Sequence, residues 1–572
     1  MFNSSPDFQF ITPDPRVDIH LPDERVISGP RGAQVGCFLK LLNGNGGAPI
    51  VGAIVNDELR ELTYPIDMES TVEPVTMSTE DGMLIYRRSL VFLLAAAFES
   101  LYPHSTLTID HSVSSGGFYC QVSDPSIVNQ VELNRLEEHM RSLVNADLPF
   151  TRREVPLQEA IALFESRKMH DKVRLLAHRQ KSHLVLYSLG DFQDYHHGYM
   201  VPSTGYLQWF GLALTNGGFT LRFPRRHAPT HLLPLPEYPK LLSTFRQYGE
   251  WLDRLGISSV GSLNDAIQAG RLREIILVSE ALHEQRVAEI AAQIKALSQR
   301  VRIILIAGPS SSGKTTFSKR LALQLLSQGL SPYPLEMDNY FVEREKTPRD
   351  ANGNFDFEAL EALDTDRMQH DLQSLIQGRP VHIPSYNFRT GKQEEGELVE
   401  LQPGQVIILE GIHGLNPRLL PTIPVEQTFR IYTSDLTQLN LDRYNRVSTT
   451  DTRLLRRIVR DARDRGYTAR DTIARWDSVT RGEKRNIFPF QENADVMFNS
   501  ALAYEMSALK PLAVPLLQQV PFGTREFVEA KRLISFLDWF NPVDSSLIPE
   551  NSILREFIGN SIFKDFRLWK NP

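Results

Sequence analysis

The sequence predicts an α/β protein, with a parallel sheet flanked by helices in its C-terminal half and two smaller α+β modules in front. Three observations carry this expectation. Beyond residue 300, apolar runs of strand length alternate with helical segments, the pattern of a parallel sheet covered by helices. One of these runs leads into GPSSSGKT (308–315), which is followed by the helix-like TTFSKRLALQLLSQG. Residues 26–84 are instead short apolar runs broken by turn signals such as NGNGG and the Asp-Gly pair at 81–82.

In chain order, residues 1–25 are rich in Pro, Asp and Asn and read as a flexible arm. Residues 26–84 read as a small β-rich module. From 85 the spacing turns helical, with Leu90, Leu93, Leu94, Phe98 and Leu101 on one face. Helices are predicted over 131–146 and 156–167, the latter with proline in its first turn, and strands near 182–188 and 217–223. Together, 85–225 make one α+β domain. The stretch FPRRHAPTHLLPLPEYP (223–239) holds five prolines and reads as a linker, so 226–295 is a linker followed by a helical segment. The C-terminal unit spans 296–525, with strands expected at 301–308, 333–338, 405–412, 428–434 and 494–501. Residues 526–572 read as a segment docked on a domain surface.

Bulk properties narrow the function classes. A net charge of -7 over 572 residues offers no global basic field for nucleic acid or an anionic membrane, although a local patch remains open. Nucleic acid is therefore a disfavoured partner. Cys37 and Cys120 are too few for a disulfide framework or a four-thiolate metal site, and they point to a reducing, cytoplasmic setting. The longest strongly apolar run, LVFLLAAAF (90–98), is half the length of a membrane span. The N-terminal residues do not read as a signal peptide. The oligomeric state, including a homo-oligomer, stays open.

GPSSSGKT matches the P-loop pattern G-x-x-x-x-G-K-[ST] in its proper setting, between an apolar strand and a helix. The backbone N–H groups of Gly308, Pro309, Ser310, Ser311, Ser312, Gly313, Lys314, Thr315 and Thr316, proline's excepted, would cradle the phosphates of ATP. The helix N-terminus adds its positive end. Lys314 would reach the outer phosphates, and the Thr315 hydroxyl suits Mg²⁺. Nucleotide binding without catalysis is equally compatible with the loop alone.

Transfer to a hydroxyl needs a base and acidic help for the metal. Asp338 closes LEMDNYF and Glu410 closes VIILEG, both at predicted strand ends, where ligands of parallel sheets bind. Asp338 is assigned as the base and Glu410 as the metal-side carboxylate. Either could instead cap the element that follows. LLRRIVRDARDRG (454–466) carries five arginines on a predicted helix ending at glycine. Guanidinium groups on a lid would neutralise a moving phosphoryl group. The alternative is a solvated helix stitched by pairs to Asp461 and Asp464.

Residues 301–520 resemble the uridine kinase and phosphoribulokinase family of P-loop kinases. The resemblance rests on GPSSSGKTT, MDNYF, NFDFEALEALD (354–364), HIPSYNF (382–388), ILEGIHGL (408–415) and RRIVRDARDRG (456–466), in family order. It implies an ATP-dependent kinase that uses Mg²⁺ and acts on a small-molecule acceptor, a nucleoside 5′-hydroxyl. It also implies Asp338 as the activating acid and Glu410 as the metal-associated glutamate, with Lys314, Arg460 and Arg465 in catalysis. Glu358 would bind the ribose hydroxyls, Tyr386 and Phe388 would line the base pocket, and Arg457 would face the substrate. Three positions depart from the family pattern. Gly391 stands where a base-reading histidine is usual, Arg475 where a glutamine is, and Tyr467 where a lid arginine is. Another nucleoside, a sugar phosphate or another small alcohol is the alternative acceptor.

Residues 30–84 resemble the ubiquitin-like module of threonyl-tRNA synthetases, and 85–225 resemble the editing domain that follows it there. LLAAAFESLYPH (93–104), GGFYCQV (116–122), the helix at 131–146 and YHHGYMVP (195–202) carry this likeness. The editing domain's four functional positions fall here on Phe92, Ala96, His196 and Met200, so a metal or editing centre is not expected. An RNA-binding or regulatory protein with a nucleotide switch is the remaining alternative reading.

Overall fold

The computed structural model describes residues 15–566 apart from 43–46, 114–115, 350–352, 354 and 438. The expected arm at 1–25 needs correction: 1–14 lie outside the described residues, but Arg16–His20 is a strand. It pairs antiparallel with Val26–Pro30 and parallel with Ser70–Thr76. The RVDIH alternation buries Val17 and Ile19 on one face, a signal too short to stand out beside the prolines and acids around it. With Ile50–Val55 and Glu58–Arg60 these strands complete a five-stranded sheet.

The next module is organised around the helix Glu80–Leu101. Thr79 caps it by accepting the Gly82 N–H, and every residue from Ser89 to Phe98 is buried. A helix apolar on all sides must be enclosed, and here a four-stranded antiparallel sheet, a three-stranded sheet and the helix Gln130–Asn145 surround it.

The C-terminal region is built on five parallel strands in the order Pro332–Glu336, Val406–Glu410, Ile303–Ala307, Thr428–Ser434, Val496–Asn499. Every residue of Ile303–Ala307 is buried, as a central parallel strand covered on both faces requires. The chain leaves this strand into the phosphate loop and the helix Lys314–Ser327. The long helix Leu272–Ala296 packs against Lys314–Ser327, and Pro239–Arg254 packs against Val496–Asn499, so the segment before 296 covers this sheet. A hairpin outside this sheet, Val381–Asn387 with Lys392–Val399, is mostly polar but buries Ile383, Tyr386 and Val399 against the sheet's core.

The front modules are joined to this region through residues 439–447. The Ile109 N–H donates to the Arg443 carbonyl at 2.7 Å, and Asn440 Nδ2 donates to the carbonyls of Ile109 and Asp110. Lys172, fully buried, pairs with Asp194 at 2.9 Å and with Asp442 at 3.1 Å. Among the described residues no helix is long and apolar enough to cross a membrane.

Candidate active site

The phosphate loop is positioned by the sheet and by backbone that only glycine can adopt. A Cβ on Gly308 would lie 1.9 Å from the Thr433 carbonyl oxygen, and Gly313 turns the chain into the helix at φ +82°. Ser311 also sits in the left-handed region at φ +59°, part of the tight wrap that points N–H groups inward. Lys314 folds over the loop, its Nζ donating to the Pro309 carbonyl at 3.0 Å. Burial pulls its pKa down, against the opposing pull of Glu410, Glu556, Glu483 and Asp338 around it.

A cavity of about 770 Å³ opens over this loop, at the carboxyl ends of the parallel strands. Ser310 through Thr315 form one wall. Asp338, Glu358, Glu410, Tyr386, Phe388, Arg457, Arg460 and Arg465 reach it from five other segments. Of the residues singled out in the sequence, Gly308, Pro309 and Thr316 belong to the loop and the first helical turn without lining the cavity. Asp338 follows the edge strand Pro332–Glu336 on a short 3-10 turn. Its carboxyl is raised above the ordinary value, first by burial and then by Glu336, with Lys314 and Arg465 opposing. A raised carboxylate facing the phosphate lysine has the basicity a proton acceptor needs.

Glu410 ends its strand beside Glu336 and accepts the Thr315 hydroxyl at 2.8 Å. Burial lifts it to about 7, while Lys314 and the Thr315 hydrogen bond pull the other way. A half-buried carboxylate lifted this far lacks a full complement of positive charge. Mg²⁺ takes one or two protein carboxylates and completes its shell with water and phosphate. Thr315 and Glu410 fit that donor set. Among the described residues no group of three or more His, Cys, Asp or Glu side chains could hold a metal by itself.

The arginine helix, Thr449–Asp464, is sorted by the structure into two groups. Arg453 and Arg456 are buried and structural: Arg453 pairs with Glu483 and Asp435, and Arg456 with Glu505. Their guanidinium groups also hold the loop from behind, at the carbonyls of Ser310 and Ser311. Arg457, Arg460 and Arg465 face the cavity, and all three are gathered by one buried carboxylate, Asp461, at 3.2, 2.9 and 3.5 Å. Arg457 also donates to the Ser310 hydroxyl at 2.8 Å. Asp461, read in the sequence only as a surface partner, thus anchors all three of these arginines.

On the acceptor side, Tyr386 and Phe388 meet edge to face at 5.0 Å, with Phe341 at 5.5 and 6.0 Å from them. Gly391 has φ +72°, and a Cβ there would lie 2.8 Å from Arg344 Cβ. The space a histidine side chain would need is therefore filled by Arg344, whose guanidinium donates to the Phe388 carbonyl and lines the cavity. Arg475 stacks over the Tyr467 ring at 4.4 Å, and Tyr467 lines the same cavity. Glu358 packs against Gly482 and is lifted to about 7, chiefly by burial and then by Glu483, with Arg457 and Lys314 opposing.

Sequence reasoning missed Glu483 and Glu556. Glu483 accepts the Ser310 N–H at 2.9 Å. Glu556, from the C-terminal segment read as a docking strap without chemistry, accepts the Thr316 N–H at 3.1 Å and lines the cavity. Neither lies in a motif, and no local pattern marks an acid whose partner is 173 or 240 residues away.

The four positions matched to the editing domain's functional side chains lie in the core: Phe92 and His196 pack ring to ring at 5.6 Å, and Ala96 and Met200 are buried. Burial drives the His196 pKa well below its usual value, so the imidazole stays neutral.

The front of the chain is similar to threonine–tRNA ligases. One, from Acidithiobacillus ferrooxidans, is 35% identical over 206 residues, covering 35% of this chain and 31% of the ligase. Another, from Geobacter sp., is 30% identical over 203 residues, covering 36% of this chain and 32% of the ligase. The chain thus spans about a third of the length of the curated relatives it matches. A solved structure described as a possible uridine kinase from Bacillus stearothermophilus is 23% identical, with TM-score 0.26, covering 38% of this chain and 98% of that one. Residues 303–506, the stretch that carries the phosphate loop, Asp338, Glu410 and the arginine helix, match the Phosphoribulokinase / Uridine kinase family.

Proposed function

We propose that this protein transfers a phosphoryl group from Mg-ATP to the 5′-hydroxyl of a nucleoside. The family match supports the coarser activity, phosphoryl transfer to a small-molecule acceptor. One observation carries the finer reading: a single cavity holds the phosphate lysine Lys314, the raised carboxylate Asp338 and the Tyr386–Phe388 aromatic pair. The aromatic cluster would hold a flat base. Glu358 would take the ribose hydroxyls, and Asp338 would accept the proton of the attacking hydroxyl. Mg²⁺, held by Thr315 and Glu410, would supply charge neutralisation at the phosphates. Arg457, Arg460 and Arg465, fixed at Asp461, face the space where charge spreads during transfer.

A second reading is favoured by Arg344. A guanidinium in the place of a base-reading histidine suits an acceptor that already carries a phosphate or carboxylate. Both readings are tested by screening Mg-ATP with common nucleosides, sugar alcohols and sugar phosphates beside Asp338→Ala. Turnover of one nucleoside that the variant loses supports the first. Turnover confined to an anionic acceptor supports the second. No turnover above the variant's background for any acceptor would sink both.

A further inference from the structure

Between the front modules and the C-terminal sheet lies a second cavity, of about 540 Å³, separate from the one over the loop. Its walls come from the helix Glu80–Leu101, the proline-rich segment after residue 223, the arginine helix and the helix Ala469–Asn486. Its charges do not balance. Arg226 is paired with Asp477 at 3.1 Å and Glu80 at 3.6 Å, and Arg453 with Glu483. Asp451 is held by Arg532. Every carboxylate in the wall is thereby used. Arg87, Arg225, Arg481 and Lys484 are left without a carboxylate partner among the described residues.

Two of these cations are drawn inward. The Nε atoms of Arg87 and Arg225 are buried and make no hydrogen bond, and Arg87 lies over the Phe223 ring at 4.7 Å. Burial first, and then repulsion from neighbouring arginines, depress Arg87 to about 9 and Lys484 to about 8, with Glu80 opposing only in part. Unpaired cations that face one another around a cavity are stabilised by an anion between them. The rest of the lining mixes hydroxyl side chains such as Ser112, Ser448 and Thr450 with an aromatic group, Phe118, Phe223, Phe245 and Tyr432, which suits a ligand with a flat body behind its charged end.

We propose that this cavity is a second, non-catalytic site for a phosphorylated small molecule of nucleoside-monophosphate size, its phosphoryl group held by Arg87, Arg225 and Lys484. The volume is within the range of small-ligand pockets. Pro309 of the phosphate loop and Glu483, which holds the Ser310 N–H, form part of its wall. A ligand there touches the back of the loop whose front faces the catalytic cavity.

The test is calorimetric titration of the full chain carrying Lys314→Ala, to weaken the catalytic nucleotide site, with inorganic pyrophosphate, AMP and UMP as probes. At least one probe is expected to bind, and its affinity to fall at least ten-fold when Lys484→Glu or Arg225→Ala is added. Lys484→Met keeps the stem and removes the charge. It should weaken binding in the same direction with an unchanged melting temperature, which separates loss of the site from loss of the fold. If none of the three probes binds, or if binding ignores all three cavity substitutions, the proposal is overturned.

Discussion

The carboxylate of Glu556 accepts hydrogen bonds from both the backbone N–H and the hydroxyl of Thr316, at 3.1 and 2.9 Å. That N–H belongs to the first turn of the helix after the phosphate loop, where bound phosphate would be expected. The same segment lays Ile553 against Gly313. A carboxylate here stabilises the free helix terminus and competes with phosphate for it. Glu556→Gln should therefore tighten nucleotide binding while weakening the free fold. The KM for Mg-ATP should fall several-fold, because glutamine binds the N–H without the carboxylate's charge and leaves a weaker hydrogen bond to be displaced. The melting temperature of the free protein should fall too. A KM that rises or stays put would show that Glu556 does not compete with nucleotide.

The Asp338 carboxyl lines the cavity with its pKa raised, near the lysine that would meet the transferred group. Asp338→Asn keeps its size and removes its basicity. Turnover should drop by roughly 10²–10⁴-fold with the nucleotide dissociation constant nearly unchanged. Equal losses in both measurements would assign Asp338 to nucleotide binding.

Glu358 gives a pH dependence whose sign follows from its burial. Its folded pKa is about 7, above the ordinary 4.5, so between those values the folded protein binds the proton that the unfolded chain releases. The stabilisation is fully present below about 4.5 and is lost as pH rises through about 7. The full effect of a shift this size is on the order of 3 kcal/mol. Glu358→Gln should flatten the decline in stability across that window, measured by denaturant unfolding at pH 5, 6 and 7. An unchanged slope would mean Glu358 is ionised throughout.

Much of this was legible in the sequence for a physical reason. Central parallel strands are apolar on both faces, so VRIILIAG and QVIILEGI stand out, and the buried strands Ile303–Ala307 and Val406–Glu410 fall inside them. The glycines and the Lys-Thr pair of the loop cluster in one short motif, so the loop was readable too. The polar hairpin strand Lys392–Val399 was not, because its side chains are mostly solvated and carry no apolar alternation. Nor were Asp461 as an anchor, Arg344 in the place of a histidine, or Glu556 at the loop. Each depends on a tertiary neighbour that no local periodicity announces.

On the proposed function, Arg344 and Gly391 would decide which acceptor the pocket prefers. Restoring histidine by Gly391→His should fail to restore a pyrimidine contact, since φ +72° disfavours any side chain and Arg344 occupies the space. The variant should instead lose stability by about 1 kcal/mol or more. Arg344→Ala discriminates between the two acceptors. With a neutral nucleoside the acceptor KM should change less than about three-fold, whereas an anionic acceptor losing a charge-assisted pair should show at least a ten-fold rise. Steady-state kinetics on the acceptor found in the screen reads the difference directly.

The two halves of the chain meet around Lys172, whose ammonium is wholly buried between Asp194 of the front half and Asp442 of the C-terminal region. The Tyr195 hydroxyl also donates to Asp442, and the Tyr195 and Tyr444 rings lie within 4.9 Å of the ammonium. Removing one partner from such a cluster leaves buried carboxylates unpaired, which costs about 3–5 kcal/mol. Lys172→Met fills similar volume, so a cavity is not the cause of any loss. Unfolding of the natural chain should follow one transition, because this cluster ties 172, 194 and 442 into a shared core. Lys172→Met should lower the midpoint and split the curve, with the front half separating first. Adding Asp194→Asn and Asp442→Asn should recover part of the loss by removing the stranded charges. A single undisplaced transition in Lys172→Met would mean that the backbone contacts at 439–447 hold the halves together without the ion cluster.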